Sequence, residues 1–425
     1  MNVTVFPGPV QGVVEIIPSK SVLHRLLIVA ALADTETLIR SGPTEAEDVA
    51  ATAACLEALG ASVRQVDGGF SVRPIDRQNL PKQAVLPVQE SGSTLRFLLP
   101  IVCALGVSGQ FRMAGRLPER PLAPLDEELT RHGIKLTRPE PDLLCTEGVL
   151  RPGAYVIPGN ISSQYITGLL LALPLLGGES TLTVEGRIES EDYINITLDA
   201  AAQFGYEPPL TENRYDLHPG GFRSPGTVDA EGDWSNAAFW LCAGAMPGGQ
   251  VQVTGLNSDS LQGDRAVVRV LERMGAVITD TEGVYTAAEG VRKGIEIDAA
   301  AVPDLIPVLS AVAAVGTGTT VIKNAARLRL KESDRLAATA QTLNTLGAKV
   351  TELPEGLRIE GVARLKGGTV DAWGDHRIAM MAAIASTACE GPVTIVGGEA
   401  VSKSYPQFWL ELAGLGKEVH LVEEV

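Results

Sequence analysis

The residues of this chain best suited to chemistry gather where apolar helical runs begin. Ser19, Lys20, Ser21 and Arg25 open one such run (SKSVLHRLLIVAALA), Ser162, Ser163 and Gln164 another (SSQYITGLLLALPLL), and His376 with Arg377 a third (DHRIAMMAAIAS). A helix N-terminus leaves backbone N–H groups without partners inside the helix and carries the positive end of its dipole, so it favours anions. Serine and aspartate there also serve ordinary capping. Capping alone gives no reason for Lys20 with Arg25, for the Ser-Ser-Gln triplet, or for His376 beside Arg377. Together these groups predict capture of phosphate or carboxylate. A further segment, LKESDR from Leu330 to Arg335, reads either as helix or as a solvated charged turn in which Glu332 and Asp334 balance the bases. On a helix, Lys331 and Arg335 would fall at i and i+4 on one face, a like-charge pair that a bound anion would stabilise.

Holding such groups in place requires a scaffold that presents several helix starts, and the sequence carries one as an internal repeat. Polar residues opening apolar runs recur at Ser19, Ser91, Ser162, Asp233, Asp304 and Asp375, at offsets of 72, 71, 71, 71 and 71 residues. A glycine ending an amphipathic stretch recurs at Gly60, Gly133, Gly205, Gly275, Gly347 and Gly416, at offsets of 73, 72, 70, 72 and 69. Such a glycine suits a helix C-terminus that needs positive φ. Three segments that follow, SVRQVDGGFSVRP, AVITDTEGVYTAA and KVTELPEGLRIEG, read as strand, glycine turn, strand. Each repeat is therefore an α/β module of apolar helix, strand, amphipathic helix and further strands, three to each half of the chain. Apolar helices without a polar face must be buried all round, with sheet outside them.

Composition narrows the function classes. A chain of 425 residues is long for one core, so two large lobes are expected. Its net charge of −16 repels nucleic acid and anionic membrane surfaces, so an anionic ligand must be caught by local clusters of bases. No apolar run reaches the roughly 20 residues of a membrane span. The opening MNVTVFPGP lacks the basic region and apolar run of a secretory leader, so a cytoplasmic location is expected. Five cysteines without any CxxC pair argue against a disulfide framework or a zinc site. Neither a GxxxxGK[ST] phosphate loop, nor a GxGxxG turn, nor HExxH is present, so neither metal nor cofactor is expected.

The segments PSKSVLHR, SGSTLR, PERP, SSQYITGLLLALP, KESDRL, GDHRIAM and VSKSYP, spread from one end of the chain to the other, resemble the 5-enolpyruvylshikimate-3-phosphate synthase family. The resemblance implies a two-lobed inside-out α/β barrel of six βαβαββ repeats, three per lobe. One lobe would comprise residues 18–230, the other residues 1–17 plus 231–425, with closure on substrate. It implies a monomer acting on shikimate-3-phosphate and phosphoenolpyruvate. For shikimate-3-phosphate the similar positions are Lys20, Ser21, Arg25, Ser162, Ser163, Gln164, Ser190, Tyr193, Asp304, Arg327 and Lys331. Arg327 stands where the family often has asparagine. For phosphoenolpyruvate they are Lys20, Gly92, Arg96, Arg120, Gln164, Arg335, His376, Arg377 and Lys403, the arginine fork suiting carboxylate and phosphate.

Asp304, Glu332 and Lys20 are then expected to move the protons. Asp304 could instead be a helix cap after Pro303. With glycine at 92, the resemblance further implies inhibition by glyphosate, which occupies the phosphoenolpyruvate site in that family. One alternative is the related transferase acting on UDP-N-acetylglucosamine. Such enzymes usually carry a cysteine on a first-lobe loop, where this chain reads RLPERPLAP, and asparagine after the first lysine, where it has Ser21. A second alternative is a binding protein of the same fold without turnover.

Overall fold

The computed structural model describes residues Met1–Val422. Five of the six landmark polar residues are N-caps. Ser19, Ser91, Ser162, Asp233 and Asp375 accept the backbone N–H of Val22, Thr94, Gln164, Asn236 and Arg377. They start the helices Lys20–Ala31, Gly92–Leu105, Ser163–Ala172, Trp234–Ala245 and His376–Ala385. The sixth behaves differently. Asp304 lies inside a 3-10 turn, Pro303–Leu305, that leads into the helix Ile306–Ala314, and neither element has a side-chain cap at its start. Pro303 and Pro307 have no N–H to offer a cap. The carboxylate of Asp304 is therefore turned to other partners, and the capping alternative falls.

All six glycine landmarks adopt positive φ, from 74° at Gly205 to 102° at Gly60. Of the two readings of Leu330–Arg335 the turn holds, Lys331–Asp334 lying between the 3-10 turn Ala326–Leu330 and the next helix. That helix, Arg335–Thr345, begins only at the arginine, with Asp334 accepting the Ala337 N–H. A strong cap placed one residue before Arg335 stops the helix from extending back over Lys331.

Six four-stranded sheets share one plan. In one of them Gln83–Gln89 runs parallel to Ser108–Met113, which pairs antiparallel with Leu143–Glu147, itself antiparallel to Lys135–Glu140. The parallel pair requires a crossover, and the helix Gly92–Leu105 supplies it. Three sheets borrow a strand from far along the chain. Thr227–Asp229 completes the sheet of Thr37–Arg40, and Gln11–Glu15 completes that of Gln250–Thr254. Asn2–Val5 inserts between Val393–Val396 and Val419–Val422. The contacts accordingly divide into two compact units, Pro18–Ala230 and Met1–Ile17 with the chain from Glu231 onward.

Each unit has its own apolar core. Every residue of Trp234–Ala245 and of Ile306–Ala314 is buried, while the strands alternate buried with half-buried or exposed positions, as in Ser180–Glu185, where Ser180, Leu182 and Val184 are buried and Glu185 is exposed. Helices thus fill the inside of each unit and sheets face solvent, each buried Leu, Ile, Val or Phe contributing about 1.5–3 kcal/mol. Close packing of two core helices depends on Gly168, where a Cβ would lie 2.3 Å from the carbonyl oxygen of Arg96. Among the described residues no helix is long and apolar enough to cross a membrane, and no group of His, Cys, Asp and Glu could hold a metal ion.

Candidate active site

In the Pro18–Ala230 unit, four helix starts carry most of the candidate groups. Lys20, the first residue of its helix, pairs with Asp48 at 2.7 Å, Asp48 lying in the first turn of Glu47–Ala58. Arg25 is only 2% exposed. Its Nε donates to Thr197 Oγ1 at 2.7 Å, Nη1 to the Ser21 carbonyl at 2.7 Å, and Nη2 to the Tyr193 carbonyl at 2.9 Å. The guanidinium also lies over the Phe97 ring, 4.9 Å from its centroid. Burial draws the Arg25 pKa down to about 10, which leaves it a cation at neutral pH.

Arg96 donates to Gln164 Oε1 at 3.0 Å and to the Pro121 carbonyl at 3.2 Å, and Gln164 in turn donates to Ser93 Oγ at 2.9 Å. Gly92 is where these groups leave no room. A Cβ there would meet Arg96 Nη1 at 2.5 Å and Arg120 Nη1 at 2.8 Å. Ser162 caps its helix, Ser163 is buried in the first turn, and Ser190 holds a left-handed conformation (φ 56°) at the start of Glu191–Gln203, with Tyr193 one turn on.

In the second unit Asp304 is the hub. Its carboxylate lies 2.7 Å from Arg335 Nη1, 3.5 Å from Lys331 Nζ and 3.4 Å from Arg377 Nη2. Arg335, 1% exposed, also binds Asp375 through Nε at 2.8 Å and Glu332 through Nη2 at 2.6 Å. Asp375, fully buried, further accepts the Ser333 hydroxyl at 2.9 Å and the Arg377 N–H at 3.0 Å. His376 lies beside it, its Nδ1 3.8 Å from Asp375. Lys403 donates to the Gly374 carbonyl at 2.6 Å, just before that helix. Arg327 donates to the Ala300 carbonyl at 3.1 Å.

Burial pushes the Asp304 carboxyl up, but Arg377, Lys331 and Arg335 outweigh it and hold it well below the usual range. Lys331 is lowered, first by burial and then by neighbouring cations, against the pull of Asp304. Three further residues belong to this chemistry and were not among the sequence candidates: Asp48, Asp375 and Asp264. Asp264 is buried, accepts the Ser235 hydroxyl, and is pushed up to about 6, by burial first and then by the Asp304 charge. It sits in the GDRA turn Gly263–Ala266, outside the repeat register, so no spacing signal marks it.

What this arrangement can do is hold anions with several cations beside two carboxylates, Asp304 and Glu332, that can accept or give protons. A model of the family described as EPSP synthase (3-phosphoshikimate 1-carboxyvinyltransferase) matches residues 6–412, a span that includes every candidate named above. The 3-phosphoshikimate 1-carboxyvinyltransferase of Clostridium acetobutylicum is 42% identical over 423 residues, covering 98% of each chain. That of Clostridium kluyveri is 41% identical over 420 residues, again with 98% of each covered. Among solved structures, EPSP synthase from Acinetobacter baumannii matches with a TM-score of 0.80 at 27% identity, covering 99% of this chain and all of that one. The enolpyruvyl transferase NikO from Streptomyces tendae has a TM-score of 0.76 at 19% identity, over 99% and 98% of the two chains, which speaks for the fold alone. With residues 6–412 matched by the family model and 98% of the chain by relatives 41–42% identical, the chain belongs to the EPSP synthase (3-phosphoshikimate 1-carboxyvinyltransferase) family.

Proposed function

We propose that this chain transfers the enolpyruvyl group of phosphoenolpyruvate to the 5-hydroxyl of shikimate-3-phosphate and releases phosphate, a step of the shikimate pathway. The family match over residues 6–412 carries the reading. In the reaction the 5-hydroxyl oxygen bonds to C2 of phosphoenolpyruvate as its proton leaves to a base, and C3 gains a proton. The resulting tetrahedral adduct then gives up a C3 proton and expels phosphate.

Asp304 takes the hydroxyl proton, and Glu332 with Lys20 serves C3 and the oxygen. Ser21, Arg25, Ser162, Ser163, Gln164, Ser190, Tyr193, Arg327 and Lys331 hold shikimate-3-phosphate. Gly92, Arg96, Arg120, Arg335, His376, Arg377 and Lys403 hold phosphoenolpyruvate. The ion pairs of Asp304 add a reason for the order of events. While Arg335 at 2.7 Å and Arg377 at 3.4 Å face it, Asp304 is a weak base. A phosphoenolpyruvate carboxylate or phosphate drawing those guanidiniums away raises its proton affinity, so that base strength appears when substrate binds. The protein works as a cytoplasmic monomer on small molecules without metal or cofactor, its charge of −16 disfavouring nucleic acid.

The test is phosphate release from phosphoenolpyruvate, with shikimate-3-phosphate and UDP-N-acetylglucosamine as parallel acceptors. Release with the shikimate ester alone is expected, and suppressed by glyphosate. Release only with the nucleotide sugar moves the assignment to the related transferase. Silence with both, despite thermal stabilisation by either, leaves a binding protein.

A further inference from the structure

A chain of buried side chains crosses three helices of the Pro18–Ala230 unit without touching any group assigned above to substrate. His24 Nδ1 is 2.7 Å from Thr52 Oγ1, Thr52 Oγ1 is 2.7 Å from Thr94 Oγ1, and Thr94 donates to Ser91 Oγ at 2.7 Å. His24, Thr52 and Thr94 are fully buried and Ser91 nearly so. Thr94 Oγ1 also lies 3.4 Å from the carbonyl oxygen of Asp48.

The chain has a direction. Each hydroxyl has one proton, so with Thr94 donating to Ser91, Thr52 donates to Thr94 and His24 donates from Nδ1. That tautomer leaves His24 Nε2, which has no hydrogen-bond partner, as a bare lone pair; the other would bury an orphaned N–H. Burial and the nearby Lys20 and Arg25 push the His24 pKa well below its ordinary value, which keeps the ring neutral and the pattern intact.

Location gives the chain its meaning. His24 lies one turn beyond Lys20, and Thr52 one turn beyond Asp48, the partner of Lys20. Ser91 and Thr94 flank Gly92 in the first turn of Gly92–Leu105, which also carries Ser93 and Arg96. Four polar groups withdrawn from water are costly unless all are joined, and apolar residues of the same size would pack there without that cost. We propose that the His24–Thr52–Thr94–Ser91 chain fixes the first turn of Gly92–Leu105 against the helix of Lys20, making these four positioning residues for phosphoenolpyruvate. The inference rests on the functional reading above. Shikimate-3-phosphate depends on the chain only weakly, through Gln164 held by Arg96 and Ser93, because Arg25 is held separately by Thr197, Tyr193 and Ser21.

Thr52→Val keeps the shape and removes the link. The KM for phosphoenolpyruvate is expected to rise about tenfold, the worth of roughly one buried hydrogen bond. The KM for shikimate-3-phosphate and kcat stay within about threefold, and Thr52→Ser restores wild-type values. Ser91→Ala, at the far end, moves the same constant, and the double variant costs less than the sum. Amide exchange in the protein without substrate gives a readout free of activity: Ser93 to Arg96 exchange faster in Thr52→Val, while Ser163–Ala172 does not change. A Thr52→Val variant with a lowered Tm but unchanged KM, or with both KM values raised alike, overturns the proposal. If the wild type releases no phosphate, the functional reading fails, and the exchange experiment decides the positioning role alone.

Discussion

Two buried arginines, one in each unit, are held in opposite ways. Arg25 is caged by the hydroxyls of Thr197 and Thr167 and two backbone carbonyls, all neutral. Arg335 is held by Asp304, Glu332 and Asp375. The neutral cage orients a charge without cancelling it, so Arg25 keeps its full attraction for an anion while burial draws its pKa down to about 10. The acidic cage cancels the charge of Arg335, and the same carboxylates lift its pKa despite burial. An anion reaches Arg335 only by displacing an acid, and the displaced acid gains proton affinity. The first arrangement suits holding; the second couples holding to proton transfer.

That contrast can be broken at its strongest point with Asp304→Asn. If the acids of the second unit move protons, kcat falls by roughly 10²–10⁴ while the KM for shikimate-3-phosphate changes little. A fall of less than tenfold would reduce Asp304 to a counter-ion. The next effect is on stability. Arg335→Ala strands Asp375 in the core and should cost about 3–5 kcal/mol in urea unfolding. Arg25→Ala strands only neutral acceptors and should cost about 1–3 kcal/mol. Equal losses, or the reverse order, would remove the distinction between the cages.

The smallest effect sharpens the contrast within the acidic unit. Asp264, pushed up to about 6, binds its proton more tightly folded than unfolded, where the value is about 3.9. Its contribution to stability is therefore present at low pH and lost as pH rises from about 4 to about 6. Asp304, depressed, keeps its contribution above the unfolded value and loses it only as pH falls below about 4. Thermal melts of Asp264→Asn and wild type across pH 4 to 7 should thus diverge, the variant gaining relative stability as pH rises. Parallel curves would show that Asp264 does not titrate in that window.

What the sequence reveals here is what lies close together along the chain. Caps at Ser19 or Asp375, left-handed glycines such as Gly60, and the hairpin around Gly69 are each settled by a few neighbouring residues, and all were legible. For LKESDR a charge spacing left helix and turn both open, and Asp334, which caps the helix beginning at Arg335, decides for the turn. Partners were out of reach. Lys20 finds Asp48 across 28 residues and Arg335 finds Asp375 across 40, distances closed by helix packing, on which no local pattern bears. Asp304 shows the limit most clearly. Its register alone would make it one more cap; the family resemblance set it apart by motif, and the three cationic neighbours that give the physical reason came only with the fold.

The strand Asn2–Val5 lies between two strands near the far end of the chain, Thr4 meeting Thr394 across 390 residues. On a ribosome adding about 5–20 residues per second, it waits roughly 20 to 80 s for its partners. The unit Pro18–Ala230 has by then emerged whole. Synthesis therefore favours sequential assembly: the unit Pro18–Ala230 can mature while the strand Asn2–Val5 still waits for the later strands of its own sheet. A deletion of Val419–Val422 would leave that strand with one neighbour in place of two.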